Sequence, residues 1–340
     1  MSNSSISVKQ RLLSGGIWVL LGKGLTVLSL LIVNALIARL LGPEDVGGYF
    51  LALSLVSIFS VVAQLGLGQT AVRFVAESVG RQDLASAAKV IRLVIIYGFA
   101  GALVISTILI SGAGKWIAEQ VLNSPALAGI IGITTIWIII NTLQGLLVES
   151  FRGFSDIKLV VTFEGLLISI LCIVFFTWLL MVQGQSNLTE IITAFIIAGL
   201  VNLLIAGLFM YGKLKHVKGK AKISNKDILH TAWPLLITNL AVFVLLHADL
   251  WIVSIFSSQE DVAIYGAAMR LVKFVIVPLM LINAIVPPII AEMYTLEKTQ
   301  KLEETLRTTA TLSSIPAFMV LLIFILFSAP LLDFIYGDYY

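Results

Sequence analysis

Nine apolar stretches constrain the fold of this chain more than any other feature. Each has about 20 residues, the length at which an α-helix crosses the hydrocarbon core of a bilayer. Of the 340 residues, 59% are hydrophobic and 12% are charged, whereas soluble domains are about 45–50% apolar and about 25% charged. The stretches are Gly15–Ala38, Gly47–Val72, Leu93–Ser111, Leu127–Val148, Leu159–Met181, Leu188–Met210, Trp233–Ile255, Val262–Ala291 and Leu312–Leu332. We therefore expect an all-α polytopic membrane protein.

An internal repeat organises these stretches. Glu44–Val56 (EDVGGYFLALSLV) matches Glu260–Val272 (EDVAIYGAAMRLV) at seven of thirteen positions, at a constant offset of 216. The second copy begins after six predicted spans, so both copies enter the membrane from the same side, as in transporters with parallel repeats. The copies differ where Ser54 and Ser57 are replaced by Arg270 and Lys273.

The repeat predicts a two-lobe transporter of parallel six-helix repeats. The predicted parts are an N-terminal lobe of six transmembrane helices at 1–212, a Lys-rich cytoplasmic linker at 213–226 and a partial C-terminal lobe of three helices at 227–340. A complete second copy would extend beyond residue 340. We therefore expect the second lobe to be truncated.

The positions of Lys and Arg predict the orientation in the membrane. One set of predicted loops carries 17 of the 22 basic residues, and the other set carries only Arg39 and Lys115. Basic loops stay on the cytoplasmic side, so the N-terminus is predicted to be cytoplasmic. The remaining three basic residues, Lys23, Arg270 and Lys273, lie inside predicted spans.

Motifs for catalysis are absent from the sequence. It contains no Walker loop, HExxH, CxxC or GxSxG motif, and its single cysteine, Cys172, lies in an apolar stretch. We expect no enzymatic activity, no catalytic residues, no metal site, no cofactor and no binding of nucleic acid.

Five ionisable side chains inside the spans are the candidate functional residues. Each costs about 2.5–3.5 kcal/mol on insertion scales, and such residues usually face the interior of a bundle. They are Lys23, Glu164, Asp249, Arg270 and Lys273. Arg270 and Lys273 are three residues apart and share a helix face, while Asp249 and Arg270 are predicted at similar depths in neighbouring antiparallel helices.

Two interpretations of these charges remain open. Arg270, Lys273 and Lys23 could form a cationic wall for an anionic head group such as a pyrophosphate, with Asp249 and Glu164 as coupling or ion-pair residues. Alternatively, Asp249 and Arg270 form a purely structural pair, and Lys23 extends its amine to the membrane surface.

Other polar residues have simpler explanations. Arg73 and Arg152 are predicted to be interfacial anchors. Five asparagines could contact a glycan or could form interhelical hydrogen bonds, namely Asn34, Asn141, Asn202, Asn239 and Asn283. The excess of bases over acids inside the spans favours an anionic substrate over an organic cation.

Two segments carry a family resemblance. Ala38–Tyr49 (ARLLGPEDVGGY) and Ala248–Tyr265 (ADLWIVSIFSSQEDVAIY) resemble the corresponding segments of polysaccharide-biosynthesis flippases, the O-antigen and exopolysaccharide transporters of the multidrug/oligosaccharidyl-lipid/polysaccharide exporter superfamily. The resemblance extends over essentially the whole chain.

The resemblance implies a multi-pass transporter in a bacterial inner membrane. It would move a polyprenyl-pyrophosphate-linked glycan outward by alternating access, with membrane lipids, a glycan polymerase and glycosyltransferases as partners. Asp249 and Arg270 would line its cavity. The alternatives are a cation-coupled multidrug exporter of the same fold, a lipid II flippase and a membrane scaffold that transports nothing. The exporter is expected to carry an acidic residue in its first helix, but Gly15–Ala38 contains none.

Overall fold

Long helices account for nearly all of the chain that the structure describes. The computed structural model describes residues 3–217, 219, 221, 223–272, 275–276 and 299–336, and contains no β-strand within them. The helices are α1 Asn3–Leu40, α2 Pro43–Gln64, α3 Leu67–Gly80, α4 Leu84–Val121, α5 Pro125–Gly153, α6 Ile157–Val182, α7 Leu188–Leu214, α8 Asn225–Phe256, α9 259–272 and α10 Thr299–Tyr336. In the described part of the chain, seven helices are long and apolar enough to cross a membrane.

Most of the predicted spans correspond to these helices. The predicted span Gly47–Val72 is an exception, because α2 ends at Gln64 and α3 starts at Leu67. Leu65 and Gly66 interrupt it with φ angles of 52° and 74°. The predicted eighth span lies mostly outside the described residues, and the ninth falls in α10, whose apolar stretch is Ser314–Phe327.

Local sequence signals mark several helix ends. α2 starts at Pro43, which suits a first helical turn because proline has no amide hydrogen to leave unpaired. Asp83 and Asn187 cap α4 and α7 by accepting the backbone N–H groups of Ser86 and Glu190, which would otherwise lack partners.

The chain divides into two compact units. The larger unit is Leu36–Gly266, and the smaller consists of the described residues of Met1–Ala35 and Ala267–Tyr340. The lobe boundaries derived from the repeat, at 1–212, 213–226 and 227–340, stay a prediction.

α5 is the central helix of the larger unit. It packs against α2, α3, α4 and α7. The interior is apolar, with Phe151 and Phe163 among the fully buried side chains. The outward side chains are also apolar, including Val174, Leu204 and Leu208. Apolar residues on both faces are expected for a helix bundle surrounded by lipid.

Lys89, Asp156 and Lys213 make contacts near the junction between α7 and α8, and we call this region of the larger unit the basic end. There Lys213 Nζ lies 2.9 Å from Asp156 Oδ2, and Lys89 Nζ donates to the carbonyl of Ile223 at 2.8 Å. These contacts hold the junction between α7 and α8 against α4 and α6. In the smaller unit, Tyr336 at the end of α10 donates to the carbonyl of Ala267.

Candidate functional site

A polar cavity of about 490 Å³ lies near the basic end of the larger unit. Its polar lining consists of three side-chain amides, two guanidinium groups and one carboxylate. The lining residues are Gln64, Gly68, Gln69, Val72, Arg73, Glu149, Arg152 and Asn239. We call this the amide–arginine cavity.

The break between α2 and α3 shapes this cavity. Gly66 is in the left-handed region, and a Cβ there would collide with the carbonyl of Ala232 in α8. Because glycine tolerates both constraints, α8 packs directly against the break. Gln69 Nε2 then donates to Asn239 Oδ1 at 3.0 Å, which closes one wall of the cavity between α3 and α8.

A three-residue ionic network lies beside the cavity. Arg152 Nε is 3.3 Å from Glu149 Oε2, three residues earlier in α5. An Nη atom of Arg152 is also 3.3 Å from Glu164 Oε1 in α6. The sequence predicted Glu164 as a coupling or ion-pair residue, and the structure places it in this network.

A π-helical turn at Thr162–Leu166 positions Glu164. Such turns add one residue to an α-helix and are frequent at functional sites. The carbonyl of Phe163 in this turn accepts hydrogen bonds from Gln144 Nε2 at 3.2 Å and Asn202 Nδ2 at 3.1 Å. These bonds tie the turn to α5 and α7, so the backbone that carries Glu164 is held from two sides.

A second, smaller cavity adjoins this network. It has a volume of about 240 Å³ and is bounded by α2, α5 and α6. Its lining residues are Gln64, Asn141, Gln144, Gly145, Val148, Glu149 and Glu164. We call it the amide–carboxylate cavity.

Asp249 lies in α8 and is half-buried. Tyr265 Oη in α9 donates to Asp249 Oδ2 at 2.9 Å, and Asp249 Oδ1 accepts the backbone N–H of Leu250 at 2.9 Å. The carboxylate is therefore held in place by the first turns of α9. Its predicted pairing with Arg270 stays a prediction.

The cationic residues predicted for the site belong to the smaller unit or lie outside the described residues. Arg270 and Lys23 belong to the smaller unit, and both are half-buried. Lys273 lies outside the described residues, so its placement on the same face as Arg270 stays a prediction.

In the first copy of the repeat, the position equivalent to Arg270 is occupied by Ser54, which is a packing residue. Ser54 is 4% exposed, donates to the carbonyl of Leu51 at 2.8 Å and accepts Trp251 Nε1 at 2.9 Å. Ser57 donates to the carbonyl of Leu53. Ser54 therefore takes part in the packing of α2 against α8, whereas the described bond of Ser57 stays within its own helix.

A sequence comparison identifies the family. The model of the polysaccharide biosynthesis protein family matches residues 12–294. The chain belongs to this family. A comparison with curated proteins gave no match.

Solved structures with a similar fold include transporters described as members of the MOP superfamily. An inward-facing multidrug resistance MATE family transporter has a TM-score of 0.64 at 19% identity, covering 92% of this chain and 75% of that chain. The MATE multidrug transporter DinF-BH has a TM-score of 0.67 at 17% identity, covering 96% of this chain and 74% of that chain.

A third solved structure is a MOP superfamily transporter from Pyrococcus furiosus, described as having a binding pocket of reverse polarity. Its TM-score is 0.57 at 19% identity, covering 96% of this chain and 74% of that chain. At these identities the likeness establishes the fold. Together with the seven described helices that are long and apolar enough to cross a membrane, it makes this polysaccharide biosynthesis family member a multi-pass membrane protein.

Several residues of the two cavities were not singled out from the sequence. Gln64, Gln69 and Glu149 line them, whereas Arg73 and Arg152 were expected only as interfacial anchors. The spacing of Glu149 and Arg152, three apart at the end of a predicted span, was the available signal. Gln64 lies inside a predicted span and could have been noted as a polar residue in lipid.

Three of the predicted asparagines form interhelical hydrogen bonds, whereas Asn34 donates to the carbonyl of Leu30 in its own helix and Asn283 lies outside the described residues. Asn141 Nδ2 donates to Ser60 Oγ in α2 at 3.1 Å, and Asn202 Nδ2 bonds Phe163 as described. Asn239 in α8 accepts from Gln69 in α3, and it also lines the amide–arginine cavity.

Proposed function

We propose that this protein is a transporter, specifically a flippase for a polyprenyl-pyrophosphate-linked oligosaccharide. It would act in surface polysaccharide biosynthesis, in a bacterial inner membrane. The observation that carries the proposal is the match of residues 12–294 to the polysaccharide biosynthesis family.

The chemistry of the amide–arginine cavity supports this substrate class. Sugar hydroxyls both donate and accept hydrogen bonds, and the amides of Gln64, Gln69 and Asn239 can do the same. Arg73 and Arg152 offer guanidinium groups, which bind phosphate oxygens through paired hydrogen bonds. A volume of about 490 Å³ lies within the usual range of ligand pockets, about 300–1,000 Å³.

The charges inside the predicted spans suggest the steps of transport. The glycan and its pyrophosphate would enter a water-filled pathway while the polyprenyl tail remains in lipid. Arg270, Lys273 and Lys23 would attract the pyrophosphate, and Asp249 and Glu164 would adjust that attraction. Rocking of one lobe against the other would then expose the head group on the opposite side.

A multidrug exporter is the second candidate function. It is favoured by the fold, because the similar solved structures include MATE multidrug transporters with TM-scores of 0.64 and 0.67. These share less than 20% identity with this chain, and the predicted first span has no carboxylate.

Proteoliposomes distinguish the two functions. The appearance of a polyprenyl-pyrophosphate oligosaccharide in the opposite leaflet is measured for the wild type, for Arg270→Ala/Lys273→Ala and for Arg73→Ala/Asn239→Ala. Lys115→Ala is the matched control, since Lys115 is an exposed cation paired with Glu119 that lines neither cavity. Efflux of a cationic dye is measured in parallel.

A flippase transports the glycolipid in the wild type and in Lys115→Ala. We expect each double variant to lose about 90% or more of the initial rate, because each removes interactions with charged or hydroxyl groups worth about 1.5–3 kcal/mol. Dye efflux without glycolipid transport would replace the flippase with the exporter. Unchanged rates in both double variants would retain the flippase and discard these residues.

A further inference from the structure

The turn between α4 and α5 holds the end of α8 and the start of α9. The carbonyl of Leu122 accepts Ser254 Oγ at 2.6 Å and Gln259 Nε2 at 3.3 Å. The carbonyl of Asn123 accepts the same Gln259 amide at 3.1 Å, and Asn123 Nδ2 donates to the carbonyl of Ile255 at 3.4 Å. These hydrogen bonds join segments that are 132 to 137 residues apart. We call this contact the polar clasp.

Irregular backbone at the end of α4 shapes the turn that receives these donors. The last residues of α4 form a π-helical turn at Ile117–Val121, and such turns are frequent at functional sites. Asn123 follows with a φ angle of 47°, in the left-handed region. The backbone N–H of Ser124 then donates to the carbonyl of Ala118 at 2.8 Å. The carbonyl groups of the turn are therefore held in fixed positions.

Beside the clasp, equivalent residues of the two repeat copies contact each other. Gly47 is equivalent to Ala263, and a Cβ on Gly47 would touch the backbone nitrogen of Ala263 and collide with the carbonyl of Gln259. Phe50 is equivalent to Gly266, and its ring occupies the space that a Cβ on Gly266 would need. Copies related by a two-fold axis bring equivalent residues together only at that axis. We call this contact of α2 with α9 the axial seam.

The axial seam lies at the end of α2 that is distant from the amide–arginine cavity. Gln64 lines that cavity, and it lies about 26 Å further along α2 than Gly47. Phe50, Val262 and Ala263 are all buried, so the seam excludes water. Because the seam lies on the axis between the two copies, it has to separate if one lobe rocks away from the other at this end.

One atom of the clasp opposes closure. Gln259 Oε1 is buried and has no hydrogen-bond partner in the described part of the chain, while Nε2 of the same amide donates to the two carbonyls. A buried acceptor without a partner costs free energy, which is regained when the atom reaches water. The clasp is therefore stabilised by its hydrogen bonds and weakened by one unpaired oxygen, and this balance permits its release.

We propose that the polar clasp and the axial seam together form a latch, which holds this end of the transport pathway shut and releases when the lobes rock. Ser254 and Gln259 are the movable donors, and the turn at Leu122 and Asn123 is the fixed receptor. The latch rests on the rocking motion in the proposed function, and it does not depend on which substrate is carried.

Distances between two spin labels test the latch in the full chain, purified in lipid nanodiscs without substrate. The labels are attached at Gln185→Cys and Ser257→Cys, two exposed positions, in a Cys172→Ala background. The wild type should give one dominant distance. Ser254→Ala/Gln259→Met removes three hydrogen bonds of the clasp, so the ratio of a longer distance to the dominant one should rise by about ten-fold.

A second variant disturbs the seam instead of the clasp. Gly266→Ala adds a Cβ that collides with the Phe50 ring, and this overpacking should raise the same ratio by about ten-fold. Gly207→Ala is the matched control for it, because a Cβ on Gly207 would meet nothing within 4 Å. Ser57→Ala/Gln183→Met makes the same chemical changes as the clasp variant at positions outside the latch. Both controls should keep the wild-type distances.

Wild-type distances in both the clasp variant and Gly266→Ala would overturn the proposal, because these contacts would then belong to a fixed scaffold. Should Gly266→Ala fail to fold, the clasp variant decides alone. The labels report on the protein without substrate. A failure of glycolipid transport in proteoliposomes is therefore distinguishable from a failure of the latch.

Discussion

The two copies of the repeat use the same sequence pattern in different ways. In the first copy, Tyr49 is 1% exposed, and its ring stacks on Phe195 at a centroid distance of 5.8 Å. The equivalent Tyr265 of the second copy is half-buried and donates a hydrogen bond to Asp249. A tyrosine shared by the two copies is a packing residue in one and orients a carboxylate in the other.

A second pair of equivalent positions differs in the same direction. Ser54 is buried and bonded to Trp251, whereas Arg270 at the equivalent position carries a charge in a half-buried environment. A charge inside a span is expensive unless it has a partner or faces water. At these positions the first copy serves as scaffold, and the second supplies ionisable groups.

The largest expected effect concerns the paired tyrosines. Tyr49→Ala should lower the free energy of unfolding by about 3–5 kcal/mol, because it empties an aromatic-sized volume in the core. Tyr265→Ala should cost only about 1.5–3 kcal/mol, since its main described interaction is one hydrogen bond to a charged group. Denaturant titration in mixed micelles measures both. Equal losses of unfolding free energy in the two variants would show that the two tyrosines have the same structural role.

A smaller effect is expected at Gly47 and its counterpart Ala263. A Cβ on Gly47 would meet the backbone carbonyl of Gln259, so Gly47→Ala should cost about 1–3 kcal/mol through overpacking. Ala263→Gly, the converse change in the second copy, should cost about 1 kcal/mol from helix propensity. The same titration applies. If Gly47→Ala left the free energy of unfolding unchanged, α2 and the start of α9 would not be in close contact.

The smallest effect concerns the bond between Ser54 and Trp251. A double-mutant cycle with Ser54→Ala and Trp251→Phe should give a coupling of about 0.6 kcal/mol, typical of interhelical hydrogen bonds in membranes. Trp233→Phe is the control, because Trp233 is 64% exposed and should change stability by less than about 0.5 kcal/mol. A coupling energy near zero would mean that the hydrogen bond between Ser54 and Trp251 does not stabilise the packing of α2 against α8.

Much of the fold could be predicted from the sequence because it depends on local properties. A run of about 20 apolar residues marks a spanning helix wherever it occurs. The break inside the predicted span Gly47–Val72 was missed, since Leu65 adopts a left-handed conformation that a leucine does not signal. Gly66 alone, in an apolar run, is a weak sign of a helix end.

The candidate site was predictable only in part. Composition and position are enough to single out Glu164 and Asp249 as ionisable groups in lipid. Their partners were not predictable, because Arg152 and Tyr265 reach them through the packing of separate helices. The pairing of Asp249 with Arg270 rests on estimated depths alone and stays a prediction.

The sequence by itself determined that this chain spans a membrane repeatedly, that it contains a repeat and that it belongs to a polysaccharide biosynthesis family. These properties follow from residue type and order. Only the tertiary structure decided that Gln64, Gln144, Glu149 and Glu164 meet at one cavity. Their convergence depends on how α2, α5 and α6 are rotated and packed against one another. It also depends on a π-helical turn that no local sequence pattern predicts.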